Sequence, residues 1–439
     1  VTEVLLLRSG NPRRLTEPAW RGTVDLCAEA GVPILSTPPS PSGGPEDALP
    51  PGQFTLVPEE ASAEEVAALL AEHDPARIVH CADPDALVRR DAAAARSYRQ
   101  ARGRVEEAER AAAAFDTLLH KGLTRDLCAG LGIGTAEGVW GPASDRALRH
   151  RAAELLTEHG RVVVKDPEGW AGRGQHTAVR PDELTAALDA AGDLPVVVEA
   201  FVRGEEVSVE VLLHNGQGLV LGWAVKGGTD EGGHPLHRLR LTPAGPVPAV
   251  LADHALRLCL AAGHEGIGEL DFVVGEDGRA RVLECNPRVS ATSRAIAAAN
   301  GQSSTELAVR AALGGLAALP DLARLESADR VLPADLSPET FAALAAAPGI
   351  AWVHPVTDGF QPRALLGGLA GEGRVDEAVQ QIAKLAGVDL AEPLEERRAT
   401  ARRIAAVLDA PQETLATSKG LAYAPGDHGS AGRIGMGAL

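Results

Sequence analysis

Gly268-Glu269-Leu270-Asp271-Phe272-Val273-Val274, a turn from Gly275 to Gly278, and Arg281-Val282-Leu283-Glu284-Cys285-Asn286-Pro287-Arg288 form the stretch on which the fold of this chain turns. Two apolar runs joined by a short glycine-bounded turn predict an antiparallel hairpin. That pairing sets Asp271 opposite the strand that carries Glu284, and the period of two puts Glu284 and Asn286 on one face. Three hard oxygen donors then converge. Such a set suits magnesium, which takes one or two carboxylates, keeps waters and completes its octahedron with phosphate oxygens. Cys285 points the other way and is expected to pack. Arg288 falls on the carboxylate face, where a guanidinium can hold a phosphate or carboxylate in bidentate fashion.

Upstream, Pro195-Val-Val-Val-Glu199-Ala200-Phe-Val202-Arg-Gly-Glu-Glu206-Val-Ser-Val-Glu-Val211 predicts a strand, a short connection and a second strand. A hinge of this kind can offer backbone groups to a purine edge, and Glu206 beyond it is the candidate for ribose hydroxyls; two strands with solvated glutamates would look the same. Earlier still, Arg161-Val-Val-Val-Lys165 is a buried strand ending in a lysine, followed by a glycine-rich loop with Gly169, Gly172 and Gly174. Glycines let backbone N–H groups approach phosphate oxygens. The loop is not of the Walker type, since no Lys-Ser/Thr follows its last glycine. Taken alone it is equally well a hairpin.

At 439 residues the chain calls for two or three packed units. Residues 1–110 alternate short apolar runs with helical stretches, which predicts a parallel, doubly wound unit. Val4 to Leu7 is its first strand, read as such and not as a signal peptide. The Pro- and Gly-rich segment from Thr37 to Gly52 is a surface loop, and Ala86 to about Ala114 a single helix. Residues 111–314 carry all the candidate chemistry. Residues 315–410 are alanine-rich and helical, with strand candidates at Ile350 to Val356 and Arg363 to Gly367, and 411–439 reads as a flexible tail.

Sixty acidic against forty-two basic residues give a net charge of -18, a field that repels nucleic-acid phosphates. No apolar run is long enough to span a bilayer. The five cysteines, Cys27, Cys81, Cys128, Cys259 and Cys285, are scattered and odd in number. They read as reduced, buried thiols of a cytoplasmic protein. A second copy of the chain is the expected macromolecular partner.

The three segments, in this order and spacing, resemble the ATP-grasp superfamily, in particular its carboxylate-amine ligases. Leu283 to Gly301 is also similar to the corresponding stretch of the carbamoyl phosphate synthetase large subunit. The likeness covers about Phe115 to Gly314. It implies a mixed α/β ATP-grasp fold with an N-terminal Rossmann-like domain and a C-terminal α/β subdomain. It further implies that Lys121, in Lys121-Gly-Leu-Thr-Arg125-Asp-Leu-Cys-Ala-Gly-Leu-Gly132-Ile133, and Lys165 are the two ATP lysines. Glu199, Ala200 and Val202 would line adenine, Glu206 would hold ribose, and Gly172 and Gly174 would close over the phosphates. Asp271, Glu284 and Asn286 would bind magnesium, with manganese as a substitute, and Arg288 would be the catalytic arginine. His120 stands where the family often has Asp, and Asp271 where it more usually has Glu or Gln. His234, His237 and Arg238 lie in the variable substrate-facing loop.

The activity implied is an ATP-dependent ligation in which a carboxylate, activated as an acyl phosphate, passes to an amine, with amino acids as substrates. Two other readings stay open: activation of bicarbonate as carboxyphosphate, and a nucleotide-binding scaffold without catalysis.

Overall fold

The computed structural model describes residues 2–10, 18–37, 54–83, 85–169, 174–227, 239–333, 335–354, 363–367 and 375–409, all within one compact unit that ends at Asp409. Gly172, the loop residues His234, His237 and Arg238, most of the Thr37 to Gly52 loop and the 411–439 tail lie outside the described residues.

The chain begins β1 (Thr2–Gly10), α1 (Pro18–Ala30), β2 (Ile34–Ser36), β3 (Phe54–Leu56), α2 (Ala63–His73) and β4 (Pro75–Asp83). These strands form a four-stranded sheet in the order β3-β2-β1-β4 with every pair parallel. Along β1, Val4 and Leu6 face one core and Leu5 and Leu7 another. A strand buried on both faces reads as a continuous apolar run, which is why Val4 to Leu7 shows no alternation.

Next come α3 (Asp85–Ala101) and α4 (Val105–Leu119). The single helix expected from Ala86 to Ala114 is two. Gly103 adopts φ +76°, the left-handed conformation that ends a helix, and its charged, alanine-rich surroundings hide the break from periodicity.

A second sheet, antiparallel and four-stranded, follows α5 (Lys121–Leu131). It is built from β5 (Gly138–Pro142), β6 (Val162–Lys165), β7 (His176–Ala178) and β8 (Pro195–Ala200) in the order β5-β8-β6-β7. The helices α6 (Arg146–His159) and α7 (Pro181–Ala191) cover it with Leu155, Leu156, Leu184 and Leu188.

The third sheet has eight strands, all paired antiparallel: β9 (Gly204–His214), β10 (Gln217–Gly227), β11 (Leu239–Thr242), β12 (Gly266–Gly275), β13 (Ala280–Asn286), β14 (Ser327–Val331), β15 (Ile350–His354) and β16 (Arg363–Leu366). Their order is β13-β12-β9-β10-β11-β14-β16-β15, so strands after residue 315 extend the sheet that holds the β12-β13 hairpin. Val207, Val209 and Val211 of β9, with Leu270 and Phe272 of β12, face a core closed by α8 (Ala249–Ala261) and α13 (Ala391–Asp409). Ser208, Glu210, Glu269 and Asp271 alternate with them on the other face. A slip of one residue would set the valines among buried polar groups and drive carboxylates into the apolar core. The register is therefore fixed by the alternation itself.

Two helices after the hairpin, α9 (Ala291–Asn300) and α10 (Ser304–Gly314), complete the polar side. From α10, Leu307, Val309 and Ala311 share a core with Val4, Leu6 and Ile34, which seats the N-terminal sheet against the hairpin's follow-on helix. α11 (Pro338–Ala345) and α12 (Val375–Ala386) close a further core with Leu366 and Ile382. No helix among the described residues is long and apolar enough to cross a membrane, and all five cysteines are buried and free.

Candidate active site

The hairpin forms with Asp271 paired to Glu284 and Glu269 to Asn286. A register shift beside Asp271 absorbs one residue, and Cys285 turns into the apolar core as expected. Glu284 Oε2 lies 3.0 Å from Lys121 Nζ. Burial would raise the Glu284 carboxyl, but Lys121 first, then Lys226 and Lys165, hold it down at about 2. Asp271 behaves oppositely. Burial pushes it up to about 6, with Glu269 and Glu284 adding to the rise and Lys226 opposing it. Its Oδ1 accepts from Ser208 Oγ and from Lys226 Nζ, each at 2.5 Å.

Lys121 opens α5, a poor place for a cation because a helix N-terminus is itself positive. The helix compensates locally: His120 caps it, its Nδ1 accepting from Leu123 N at 3.2 Å. At the other end Gly132, at φ 67°, terminates the helix, and Ile133 tucks back with its N–H on Cys128 C=O. The residues that follow dock on the hairpin through Val282 N and Gly134 C=O. Lys121 also donates to Gly169 C=O of the glycine-rich loop, and its own N–H donates to Pro167 C=O. One lysine thus joins the loop to the β12-β13 hairpin.

Lys165, at the end of β6, donates to Glu199 Oε1. Arg125, one turn into α5, donates to Glu199 Oε2 at 2.9 Å, so the buried Glu199 carboxylate lies between two cations. Ala200 N–H is taken by Glu137 C=O and Phe201 N–H by Arg161 C=O. Any hinge donor to a base must therefore come from beyond Phe201, where Val202 sits half-buried. Gly174 has φ 70° and accepts from Asp166 N–H, closing the base of the loop.

Glu206 is half-buried on β9, in the same cluster. Burial raises it to about 7, Asp271 and Glu284 add to the rise, and Lys226 and Lys165 oppose it. Arg288 is drawn to the edge of the cluster: its Nε donates to Asp85 Oδ1 at 2.6 Å and its Nη1 lies 3.5 Å from Asp83, both from the N-terminal unit, while Glu269 still feels its charge.

Four residues here escaped the sequence reading. Lys226 sits at a register shift between Val225 and Gly227; with Trp223 and Val225 in the apolar core, alternation puts its side chain on the polar face, buried, beside Asp271 and 3.9 Å from Glu269. Arg125, within the quoted lysine segment, is the second. Asp83 and Asp85 are the others, some 200 residues from Arg288 in the chain, with no local signal. Glu284, Asp271 and Asn286 fit a divalent cation by chemistry: hard oxygen donors on one face, in a pocket where burial, with neighbouring carboxylates adding to it, raises both Asp271 and Glu206.

No family model matches the chain. It is 29% identical over 136 residues to a carbamoyl-phosphate synthase from Methanobrevibacter smithii, covering 30% of this chain and 36% of that protein. It is 28% identical over 173 residues to the arginine-specific carbamoyl phosphate synthase large chain of Geobacillus stearothermophilus, covering 38% of this chain and 16% of that one. The chain thus spans about a third or less of the length of these relatives. Among solved structures it is similar to an L-amino acid ligase from Bacillus licheniformis, with TM-score 0.63, 15% identity and coverage of 88% of this chain and 97% of that one. It is also similar to N5-carboxyaminoimidazole ribonucleotide synthetase from Thermus thermophilus, with TM-score 0.61, 20% identity and coverage of 88% and 99%. A third likeness is to the biotin carboxylase domain of Hydrogenobacter thermophilus 2-oxoglutarate carboxylase, in complex with MgADP, ADP and bicarbonate, with TM-score 0.59, 16% identity and coverage of 83% and 86%. The fold is the mixed α/β ATP-grasp fold that the motifs led us to expect.

Proposed function

We propose that the protein is an ATP- and magnesium-dependent carboxylate-amine ligase, which forms an amide or peptide bond and releases ADP and phosphate. The observation that carries this reading is the set of lysine-carboxylate pairs on adjoining elements, Lys121 with Glu284, Lys165 with Glu199 and Lys226 with Asp271. Lysines held by carboxylates on adjoining elements are cations already positioned for phosphate oxygens.

In this reading Lys121 and Lys165 bind the phosphates of ATP and spread the charge of the transferred phosphoryl group. Gly172 and Gly174 belong to the covering loop, Glu199, Ala200 and Val202 to the adenine wall, and Glu206 to the ribose side. Asp271, Glu284 and Asn286 would hold magnesium, or manganese in its place, which neutralises phosphate charge when bound. A carboxylate oxygen attacks the γ-phosphorus and ADP leaves. The amine nitrogen then attacks the acyl carbon, loses a proton, and phosphate departs. Arg288 stabilises the oxyanion of that second step, and no nucleophilic side chain is needed.

The division into 1–110, 111–314 and 315–410 is proposed as the functional one, with amino-acid substrates and a homodimer as the assembly. The likeness to an L-amino acid ligase supports the amide product. A second reading takes bicarbonate as the carboxylate, supported by the likeness to carbamoyl-phosphate synthases. Phosphate release from ATP across a panel of amino-acid pairs, with and without bicarbonate, separates the two by mass of the product. Release that requires both an acid and an amine supports ligation. Release that follows bicarbonate alone replaces it with the second reading, and nucleotide binding without release under every condition removes both.

A further inference from the structure

The polar face of the eight-stranded sheet continues past the metal hairpin and changes sign. Lys226 at the end of β10 is next to Arg240 across the strand pair that aligns Val225 with Leu241. Arg240 pairs in turn with Asp329 of β14, with Nη1 3.4 Å from Oδ2. The same Asp329 oxygen lies 2.5 Å from Arg363 Nη1 of β16. Arg294 projects from α9 over the Trp352 ring, 5.9 Å from its centroid. Asp329 feels the fields of Arg363, Arg294 and Arg240, which hold its carboxyl below the usual range against its own burial.

Three arginines therefore converge on Asp329, with Glu269 adding its charge at Arg240. Among the described residues Arg294 has no ion pair of its own, and Arg240, 9% exposed, leaves its buried Nε without a hydrogen-bond partner. Desolvated guanidinium donors in excess of their counter-ions are unfavourable unless something anionic arrives to take them. Arg363 and Arg294 are only partly buried, so this end of the row is open to a ligand. The opposite end, at Glu284 and Asp271, is the phosphate and metal end.

We propose that the Arg240, Arg294 and Arg363 cluster is the binding site for a second carboxylate on a substrate, one that is held there and not activated, so that this protein acts on a dicarboxylic substrate. The proposal deepens the ligase reading and rests on it for the role of the bound acid, but the binding itself does not need turnover. Arg240 and Asp329 form the fixed floor, in which one carboxylate already orients two guanidinium groups. Arg294 and Arg363 supply donors from the open side, on elements packed together through Ala295, Ala298 and Leu365. A planar guanidinium pair takes a carboxylate in fork geometry, which an amide of the same shape cannot replace.

The test is calorimetric titration of glutamate and aspartate, and of glutamine and asparagine as their uncharged counterparts, into the full chain saturated with magnesium ADP. At least one acid should bind about tenfold or more tightly than its amide. Arg294→Gln and Arg363→Gln should each erase that preference while leaving ADP affinity unchanged, which also shows that the variants are folded. An amide that binds as well as its acid, binding of no member of either pair, or a preference that survives both substitutions overturns the proposal. Phosphate release is read from the same samples with ATP and an added amine: acid-selective binding without release counts against the ligase reading alone.

Discussion

Lys226 is an ammonium group placed inside the protein, and the sequence around it, Val225-Lys226-Gly227, looks like the frayed end of a strand. Alternation turns it inward to neutralise Asp271, and removing it takes away the cation closest to Asp271 in a set that also holds Glu269 and Glu206. Lys226→Met is expected to lower stability by about 3 kcal/mol, the scale for breaking a buried pair. If the same oxygens receive magnesium, the ion should restore more of the melting temperature to this variant than to the parent. Melts with and without magnesium check both statements, and an equal magnesium shift in the two proteins would remove Asp271 from the metal set. Glu210 offers a test by pH. It is fully buried between the Ser293 and Ser304 hydroxyls, and burial raises it to about 7 from an ordinary 4.5. A raised carboxyl favours the folded state below its unfolded value, and that contribution is lost as pH rises through about 7. Glu210→Gln should therefore gain stability relative to the parent between pH 5 and 8, by roughly 3 kcal/mol, read as a difference in melting temperature that grows with pH. The pairing of Asp271 with the strand of Glu284 was legible because carboxylates inside apolar alternation are conspicuous. Lys226 was not, because a lysine that closes an apolar strand just before Gly227-Gly228 reads as the start of a solvated loop.

Elements carry the site through their ends: Lys165 closes β6, Lys121 opens α5, and Lys226 closes β10. Gly204 opens β9 at the hinge, and a Cβ there would lie 2.2 Å from Val274 C=O and 3.0 Å from Gly275 Cα, backbone atoms that cannot turn aside. Gly204→Ala should cost about 1–3 kcal/mol by overpacking and weaken ADP binding by shifting the hinge, checked by urea unfolding and titration calorimetry. Unchanged nucleotide affinity in a destabilised variant would place the base elsewhere than this hinge. Strands such as Val196 to Val198 were readable from apolar runs bounded by glycine and proline. The break between α3 and α4 was not, since the charged, alanine-rich composition runs on unchanged across Gly103. Nor was the order of the large sheet, in which β11 pairs with β14 across some 85 residues, because pairing between distant strands leaves no mark in either one.

At the scale of the molecule, the N-terminal sheet reaches the site through Arg288, and its two acids decide what that arginine can do. Asp85 begins α3 and holds Arg288 Nε at 2.6 Å, with Asp83 further back. Arg89 of the same helix pairs with Glu168 of the glycine-rich loop at 3.3 Å, so one helix touches both the loop and the arginine. If Arg288 serves the transition state, Asp85 positions it. Asp85→Asn keeps the size and one acceptor but loses the charge, so the guanidinium is held less firmly. We expect kcat for phosphate release to fall roughly tenfold to a hundredfold, the scale for a misplaced catalytic group, with KM for ATP and ADP affinity changed little. An arginine that serves binding would instead show a raised KM at constant kcat. Unaltered kinetics would mean that the contact only docks the N-terminal sheet, and a lowered melting temperature alone would then be its signature. The split between kcat and KM thus tests whether the N-terminal sheet takes part in the chemistry or only in holding the molecule together.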